Sequence, residues 1–324
     1  MYPKLFHLPF LNTYGLMIGI GFVLAVIVVR ALARSSDQDP DHITNVAMYA
    51  LIAGIVGARI FYVIHNYSSF ETIPSMFAVW KGGLEFLGGV ILAVFVLLAY
   101  LLINKLPVRR YLDMLAIVLL LASSFGRLGC FLNGCCFGKP TDVKWAVRFP
   151  YASDAYECQA FPNPDRNRQN PQLELPAEYF GYIGADGRSW LEINEENKFR
   201  ANLKPRTLLT KQQEYDVTKG PYRCLPVHPS QLYSSLNSLC LTFIIYLFWR
   251  KFGLKHPGCT ISFMFVLYGF TRFWLEFLRD DNPFEQGWWT IHNNWTVSQN
   301  LGIYLAAIGL IATIFFAGLK PKKQ

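Results

Sequence analysis

Charge is scarce in this chain. Only 16% of its 324 residues are Asp, Glu, Lys or Arg, against about a quarter in an ordinary soluble domain. With 52% hydrophobic residues, that scarcity excludes a disordered polypeptide and argues against a soluble two-domain enzyme. Internal repeats and low-complexity tracts are lacking too, and with them the repeated halves typical of many transporters. The net charge of +8 raises the question of nucleic acid, but no basic stripe on a soluble fold accompanies it. Nucleic acid is therefore not expected as a partner.

The apolar residues come in blocks. Seven stretches approach or exceed the ~20 residues that cross a bilayer core: 12–33, 44–65, 83–104, 111–132, 229–249, 258–278 and 297–318. The first is too long for a signal-peptide core and lacks a small-residue cleavage site, so it reads as an uncleaved anchor. Eleven basic residues mark one side: Arg30, Arg34, Lys105, Arg109, Arg110, Arg250, Lys251, Lys255, Lys320, Lys322 and Lys323. The short connections opposite carry only Lys4, Lys81 and Arg279. Positive residues gather on the cytoplasmic side, so the expected topology has the N-terminus outside, the C-terminus inside and seven spans. The expected class is an all-α integral membrane protein: helices 1–4 over 1–132, an extracytoplasmic head over 133–226, and helices 5–7 over 227–324. The head holds 13 basic and 12 acidic residues and the turn signals Asp186-Gly187 and Lys219-Gly220-Pro221. It reads as a small folded unit with strands and turns.

Of the seven cysteines, Cys240 and Cys259 read as small apolar fillers. Cys158 and Cys224 bracket the head and suit a disulfide tying its ends. Cys130, Cys135 and Cys136 lack a fourth ligand and match no zinc spacing, so a disulfide within this group or to the head is expected there ahead of a metal.

Arg59, Arg127, Arg272 and Glu276 lie inside the apolar spans. A charge at the bilayer centre costs at least ~2.5–3.5 kcal/mol, and such residues face a cavity and a partner. Arg272 and Glu276, at i and i+4, can simply pair, which leaves Arg59 and Arg127. Each lies near the outer end of its helix beside glycine-rich backbone. Two guanidiniums at similar depth suit a phosphate, whose oxygens accept bidentate hydrogen bonds, and a phosphate at membrane depth suggests a phospholipid. Lys81-Gly82-Gly83-Leu84-Glu85-Phe86-Leu87-Gly88-Gly89, Gly126-Arg127-Leu128-Gly129 and His228-Pro229-Ser230-Gln231-Leu232-Tyr233 share that outer side. Taken singly, each has a plain packing explanation.

In order along the chain stand Asn12-Thr13-Tyr14-Gly15, Gly57-Ala58-Arg59, the double-glycine motif and Gly126-Arg127-Leu128-Gly129. Asn133-Gly134, Gly138-Lys139-Pro140-Thr141-Asp142, His228–Tyr233, Tyr268-Gly269 with Arg272, Glu276 and Arg279, and Ser298-Gln299 follow. This ordered set resembles the bacterial prolipoprotein diacylglyceryl transferases, membrane enzymes of seven helices with an outer head in the bacterial inner membrane. The resemblance implies transfer of the diacylglyceryl group of phosphatidylglycerol to the lipobox cysteine thiol of a prolipoprotein, without metal or other cofactor. It implies roles for Arg127 in binding phosphatidylglycerol, for Arg272 and Glu276 as paired charges, and for Tyr14, Asn133, Gly138 and Tyr268. Arg59, Gly82, Gly83, Gly88 and Gly89 complete the expected lipid-binding set.

The chain departs from the family pattern twice. Leu87 stands where a histidine or tyrosine is common and is proposed to help activate the thiol, and Cys130 stands where asparagine is usual. The proton acceptor stays open among Glu85, His228 and Glu276, or the arginines alone lower the thiol pKa. A diverged homologue that binds phospholipid with altered or lost transfer is the alternative, and a small-solute transporter is a third reading.

Overall fold

The computed structural model describes residues 13–67, 70, 72–78, 82–183, 190–192 and 202–319. Asn12, Lys4, Lys81, the Asp186-Gly187 turn, Lys320, Lys322 and Lys323 lie outside the described residues. The described chain is mostly helical: α1 Thr13–Ser35, α2 Pro40–His65, the short α3 Ile73–Met76, α4 Phe86–Ile103, α5 Val108–Asn133, α6 Asp154–Ala160, α7 Lys211–Thr218, α8 Ser230–Phe248, α9 Cys259–Glu276 and α10 Val297–Gly318. Among the described residues, six helical stretches are long and apolar enough to cross a membrane: α1, α2, α4, α5, α8 with its continuation to Gly253, and α10. In α9, only 18 residues long, Arg272 and Glu276 dilute the apolar content.

The chain divides into two compact units. One comprises 1–21, 123–241 and 265–308; the other comprises 22–122, 242–264 and 309–324.

In the second unit, α2 starts at an Asp39 cap whose carboxylate accepts from Asp41 N (2.8 Å), with Pro40 in the first turn. Its glycines meet those of α4. A Cβ on Gly88 would lie 2.6 Å from Gly57 O, and one on Gly89 would lie 2.8 Å from Gly54 O. Small residues thus let the two backbones close up, as membrane helices do where lipid supplies no hydrophobic drive. The carboxylate of Asp113, buried on α5, accepts from Gly258 N (2.7 Å) and Ile261 N (2.9 Å). It satisfies the free N–H groups at the start of α9.

In the first unit, residues 133–226 carry a core of their own. Phe149, Tyr151, Tyr156, Leu173, Tyr179, Val217 and Cys224 are buried together, beside an antiparallel sheet in the order β2-β1-β3. Here β1 is Phe180–Ile183, β2 is Trp190–Glu192 and β3 is Asn202–Leu203, with Tyr182 opposite Leu191 and Phe180 opposite Leu203. The strands expected for this segment are present, as is the turn at Lys219-Gly220-Pro221. The disulfide expected between Cys158 and Cys224 is not: both thiols are free. Cys158 Sγ accepts from Arg168 Nη2 (3.1 Å), while Cys224 Sγ–H donates to Gln159 Oε1 (3.3 Å). The segment is tied to the end of α9 by Asp280, which meets Arg168 at 2.8 Å and Arg166 at 3.6 Å.

Candidate active site

A single clasp positions much of the first unit's polar chemistry. The stretch 137–140 runs between 226–228 and 278–280: Gly138 N donates to His228 O (3.1 Å), Lys139 N to Leu278 O (2.8 Å) and His228 N to Lys139 O (3.0 Å). Gly138 has to be glycine there, since a Cβ would lie 2.7 Å from His228 Cβ and 2.8 Å from Leu278 O. Upstream, α5 ends at Asn133. Gly134 turns the chain at φ +89°, and Cys136 follows at φ +61°, a left-handed conformation seldom taken by a side-chain-bearing residue. The turn is pinned from α8: Gln231 Nε2 donates to Cys135 O (2.7 Å) and Ser230 Oγ to Cys136 O (2.8 Å).

Glu276 is fully buried at the end of α9. Its Oε2 lies 2.7 Å from Arg272 Nη2 and 3.8 Å from Arg279 Nε. Thr296 Oγ1 (3.0 Å) and Asn282 Nδ2 donate to its Oε1. The expected i,i+4 pair is therefore formed, inside a larger cluster. Arg272 Nη2 also donates to Ser298 Oγ (2.7 Å), while its buried Nη1 meets no acceptor among the described residues. Arg279 grips Asp281 with a two-point fork at 2.9 and 2.6 Å. Burial alone would lower the Arg279 pKa, but the Asp281 carboxylate, helped by Glu276, carries it well above the ordinary value.

Arg127 is placed differently. It lines a cleft with Tyr268, Arg272, Leu275 and the polar side chains Ser123, Ser234, Asn237 and Ser238. Its guanidinium has no hydrogen-bond or ion-pair partner among the described residues. Three guanidiniums (Arg127, Arg272, Arg279) thus share this region with the carboxylates of Glu276 and Asp281, leaving positive charge over. The arrangement suits an anion with several oxygens.

Next to it the sulfur atoms of Cys130, Cys135 and Cys136 all lie within 4.8 Å of one another. All three are free, so the disulfide expected within this group or to the head is not formed. The Cys136 thiol is held below its ordinary pKa. The neighbouring Cys130 and Cys135 thiols act first by hydrogen bonding, and the charges of Arg279 and Arg127 add to them. The Asn133 amide lies beside Cys135, and Tyr14 on α1 packs over Gly129. His228 is half-buried, its Nδ1 3.4 Å from Tyr233 Oη.

The remaining expected residues belong to the second unit. Arg59 is buried and gives its donors to backbone carbonyls: Nε to Met76 O (2.7 Å), Nη1 to Gly82 O (2.6 Å) and Gly83 O (2.9 Å), and Nη2 to Ser75 O (2.8 Å). Gly82 and Gly83 take φ of +86° and +72°, and a Cβ on Gly83 would strike the Tyr62 ring. Arg59 and the first glycine pair thus shape a loop, whereas Gly88 and Gly89 pack helices. Glu85 Oε2 lies 2.7 Å from His65 Nδ1. His65 was absent from the candidate set.

Sequence reasoning also missed Thr296, Asn282, Asp281 and the polar side chains of the cleft. Two signals for them exist. Thr296-Val297-Ser298-Gln299 is a capping box, with Thr296 N donating to Gln299 Oε1 (3.0 Å) and Gln299 N to Thr296 Oγ1 (3.4 Å). Ser230, Ser234 and Ser238 recur every four residues through an apolar span, one polar stripe on α8.

A family model described as prolipoprotein diacylglyceryl transferase matches residues 3–315. The chain is similar to the phosphatidylglycerol–prolipoprotein diacylglyceryl transferase of Prochlorococcus marinus subsp. pastoris, 27% identical over 96% of this chain and 90% of that protein. It is similar to the transferases of the same name from Clostridium tetani (26%, covering 87% and 86%) and Burkholderia cenocepacia (28%, covering 84% and 80%).

Proposed function

The chain belongs to the prolipoprotein diacylglyceryl transferase family, and from that premise we propose that the cluster around Arg127, Arg272 and Glu276 moves the diacylglyceryl group of phosphatidylglycerol onto the cysteine thiol of a prolipoprotein lipobox. The observation that carries this reading is the cleft in which Arg127, paired by no carboxylate among the described residues, and the open Nη1 of Arg272 face polar side chains.

The acceptor sulfur attacks the glyceryl carbon that bears the phosphate ester. A carbon–sulfur bond forms, the carbon–oxygen bond to phosphate breaks, and the electron pair leaves on a phosphate oxygen as glycerol phosphate. Negative charge grows on that phosphate, so fixed guanidiniums in a water-poor cleft are the catalytic device the step requires. Arg127 and Arg272 take the phosphate oxygens, and Tyr268 borders them. Glu276 aims Arg272 and is already engaged by Thr296 and Asn282, so it acts as a positioning residue. Tyr14, Asn133 and Gly138 hold the backbone and helix end around the cleft. Arg59 with Gly82 and Gly83 shapes the loop of the second unit, and Gly88 and Gly89 set the α2–α4 approach.

The chain is a multi-pass membrane protein of the bacterial inner membrane. In our reading α9 spans with the other six helices, 1–132 and 227–324 form the membrane part, and 133–226 is an extracytoplasmic head. The N-terminus lies outside and the C-terminus in the cytoplasm. Purified protein in phosphatidylglycerol nanodiscs, given a lipobox peptide, is expected to yield the thioether-linked diacylglyceryl peptide. Properly inserted protein that binds phosphatidylglycerol but transfers nothing would replace this reading with that of a lipid-binding homologue.

A further inference from the structure

Three thiols converge where the sequence spacing argues against a metal. Cys130 ends one turn of α5 beyond Arg127, on the same helix face. The chain then turns back through Gly134, and Cys136 takes its left-handed conformation. This brings Cys135 and Cys136 to Cys130, with every sulfur within 4.8 Å of the other two. Carbonyl bonds from Gln231 and Ser230 fix the turn. A tetrahedral zinc ion with Zn–S bonds of about 2.3 Å places its sulfurs about 3.8 Å apart. The cluster therefore needs a contraction of at most about 1 Å to close on zinc. A disulfide would use two of the three sulfurs and leave the third over. Three thiolates around a divalent ion leave one negative charge, and Arg127, one turn back from Cys130 on the same face of α5, supplies a cation to offset it.

We propose that Cys130, Cys135 and Cys136 bind one zinc ion, and that its fourth position takes the thiol of the acceptor substrate beside Arg127. The second half rests on the transferase reading above. Three protein ligands with one open position is the coordination of catalytic rather than structural zinc. An acceptor thiol of pKa ~8.5 is only about 3% ionised at pH 7, whereas a coordinated thiol is deprotonated outright. The acceptor gives its proton to solvent water, its sulfur occupies the fourth position, and that sulfur forms the bond to the glyceryl carbon as the phosphate oxygen leaves. Zinc changes no oxidation state.

The test begins with metal content. Full-length protein purified without chelator is expected to hold one zinc per chain, with X-ray absorption at the zinc edge showing three sulfur neighbours at about 2.3 Å. Cys130→Ser, Cys135→Ser and Cys136→Ser should each lower zinc affinity at least about tenfold, and Cys240→Ser should not. Fewer than three sulfurs, zinc retained by the triple variant, or a disulfide within the group in protein isolated without reductant overturns the site. Occupancy of the fourth position is read with Co2+ in place of zinc. A lipobox peptide, but not its Cys→Ser counterpart, should strengthen the thiolate-to-cobalt absorption, and an unchanged spectrum overturns that half. Removing zinc should slow transfer at pH 7 about 30-fold, the shortfall in thiolate of an unassisted thiol, and adding Zn2+ should restore it. Transfer indifferent to zinc also overturns that half. Zinc and cobalt results as expected, with no transfer at all, would instead overturn the transferase reading.

Discussion

Replacing Arg127 by alanine removes a guanidinium that no described carboxylate holds, from a cleft lined by serines, Asn237 and Tyr268. The expected outcome is a fall in transfer of about 10²–10³-fold, the size seen when one charge-stabilising donor is lost. Thermal stability should be essentially unchanged, because no native pair is broken. Arg127→Lys restores charge but not the two-point fork, so steady-state kinetics should place it between the two. Arg59→Ala should behave in the opposite way. Four bonds to the carbonyls of Ser75, Met76, Gly82 and Gly83 are lost, so amide exchange at those residues should quicken. The two arginines look alike in sequence. What separates them is that the acceptors of Arg59 are backbone carbonyls 16 to 24 residues away, and a carbonyl carries no residue identity to read. Cys224 supplies a pH test at the same scale. Burial pushes its thiol from an ordinary 9.0 up to about 11, so the folded form holds the proton more tightly than the unfolded one. Its contribution to the stability of the 133–226 segment is complete below pH 9 and is lost as pH rises toward 11. Near-ultraviolet circular dichroism against pH should show that component, and Cys224→Ala should lack it.

At the scale of elements, the clasp of 137–140 between 226–228 and 278–280 is the part on which the site depends most. Gly138→Ala should part these strands, because the added methyl meets His228 and Leu278 backbone on both sides. Transfer should fall sharply while the α2–α4 pair keeps its amide protection. If hydrogen exchange instead spreads to α2 and α4, the clasp is not a local device. Helical elements were largely legible, since long apolar runs announce themselves in one sequence. The clasp was not. It is made of isolated bridges between segments some 90 and 140 residues apart, and nothing periodic marks such pairings. Asp113 was passed over for a related reason: its role is to cap a helix start 145 residues further on. The polar stripe of α8 was legible in principle, through serines at 230, 234 and 238. Its bland appearance inside an apolar span concealed it. The convergence of three cysteines runs against their spacing altogether, because the left-handed turn at Gly134 and Cys136 is invisible in a ligand count.

For the whole molecule, scarce charge is what makes the arrangement readable. Basic residues between the apolar runs carry the proposed topology, and Arg127 and Arg272 inside them line a cleft. In the proposed topology, with the C-terminus cytoplasmic and the 133–226 head outside, a membrane-impermeant protease should cut the head in intact spheroplasts and spare a C-terminal tag. Cleavage of the tag alone would invert the topology and put the cleft at the wrong leaflet for a secreted acceptor. Transfer of diacylglyceryl to a thiol in this cleft proceeds, in the proposed function, by stabilisation of the departing phosphate. It is tested most directly by following lipobox-peptide thioether and free glycerol phosphate together, in phosphatidylglycerol nanodiscs, for the natural chain and for Arg127→Ala and Arg272→Ala. Equal amounts of both products from the natural chain, and loss of both in the folded variants, is the predicted result. Full activity in both variants would contradict it.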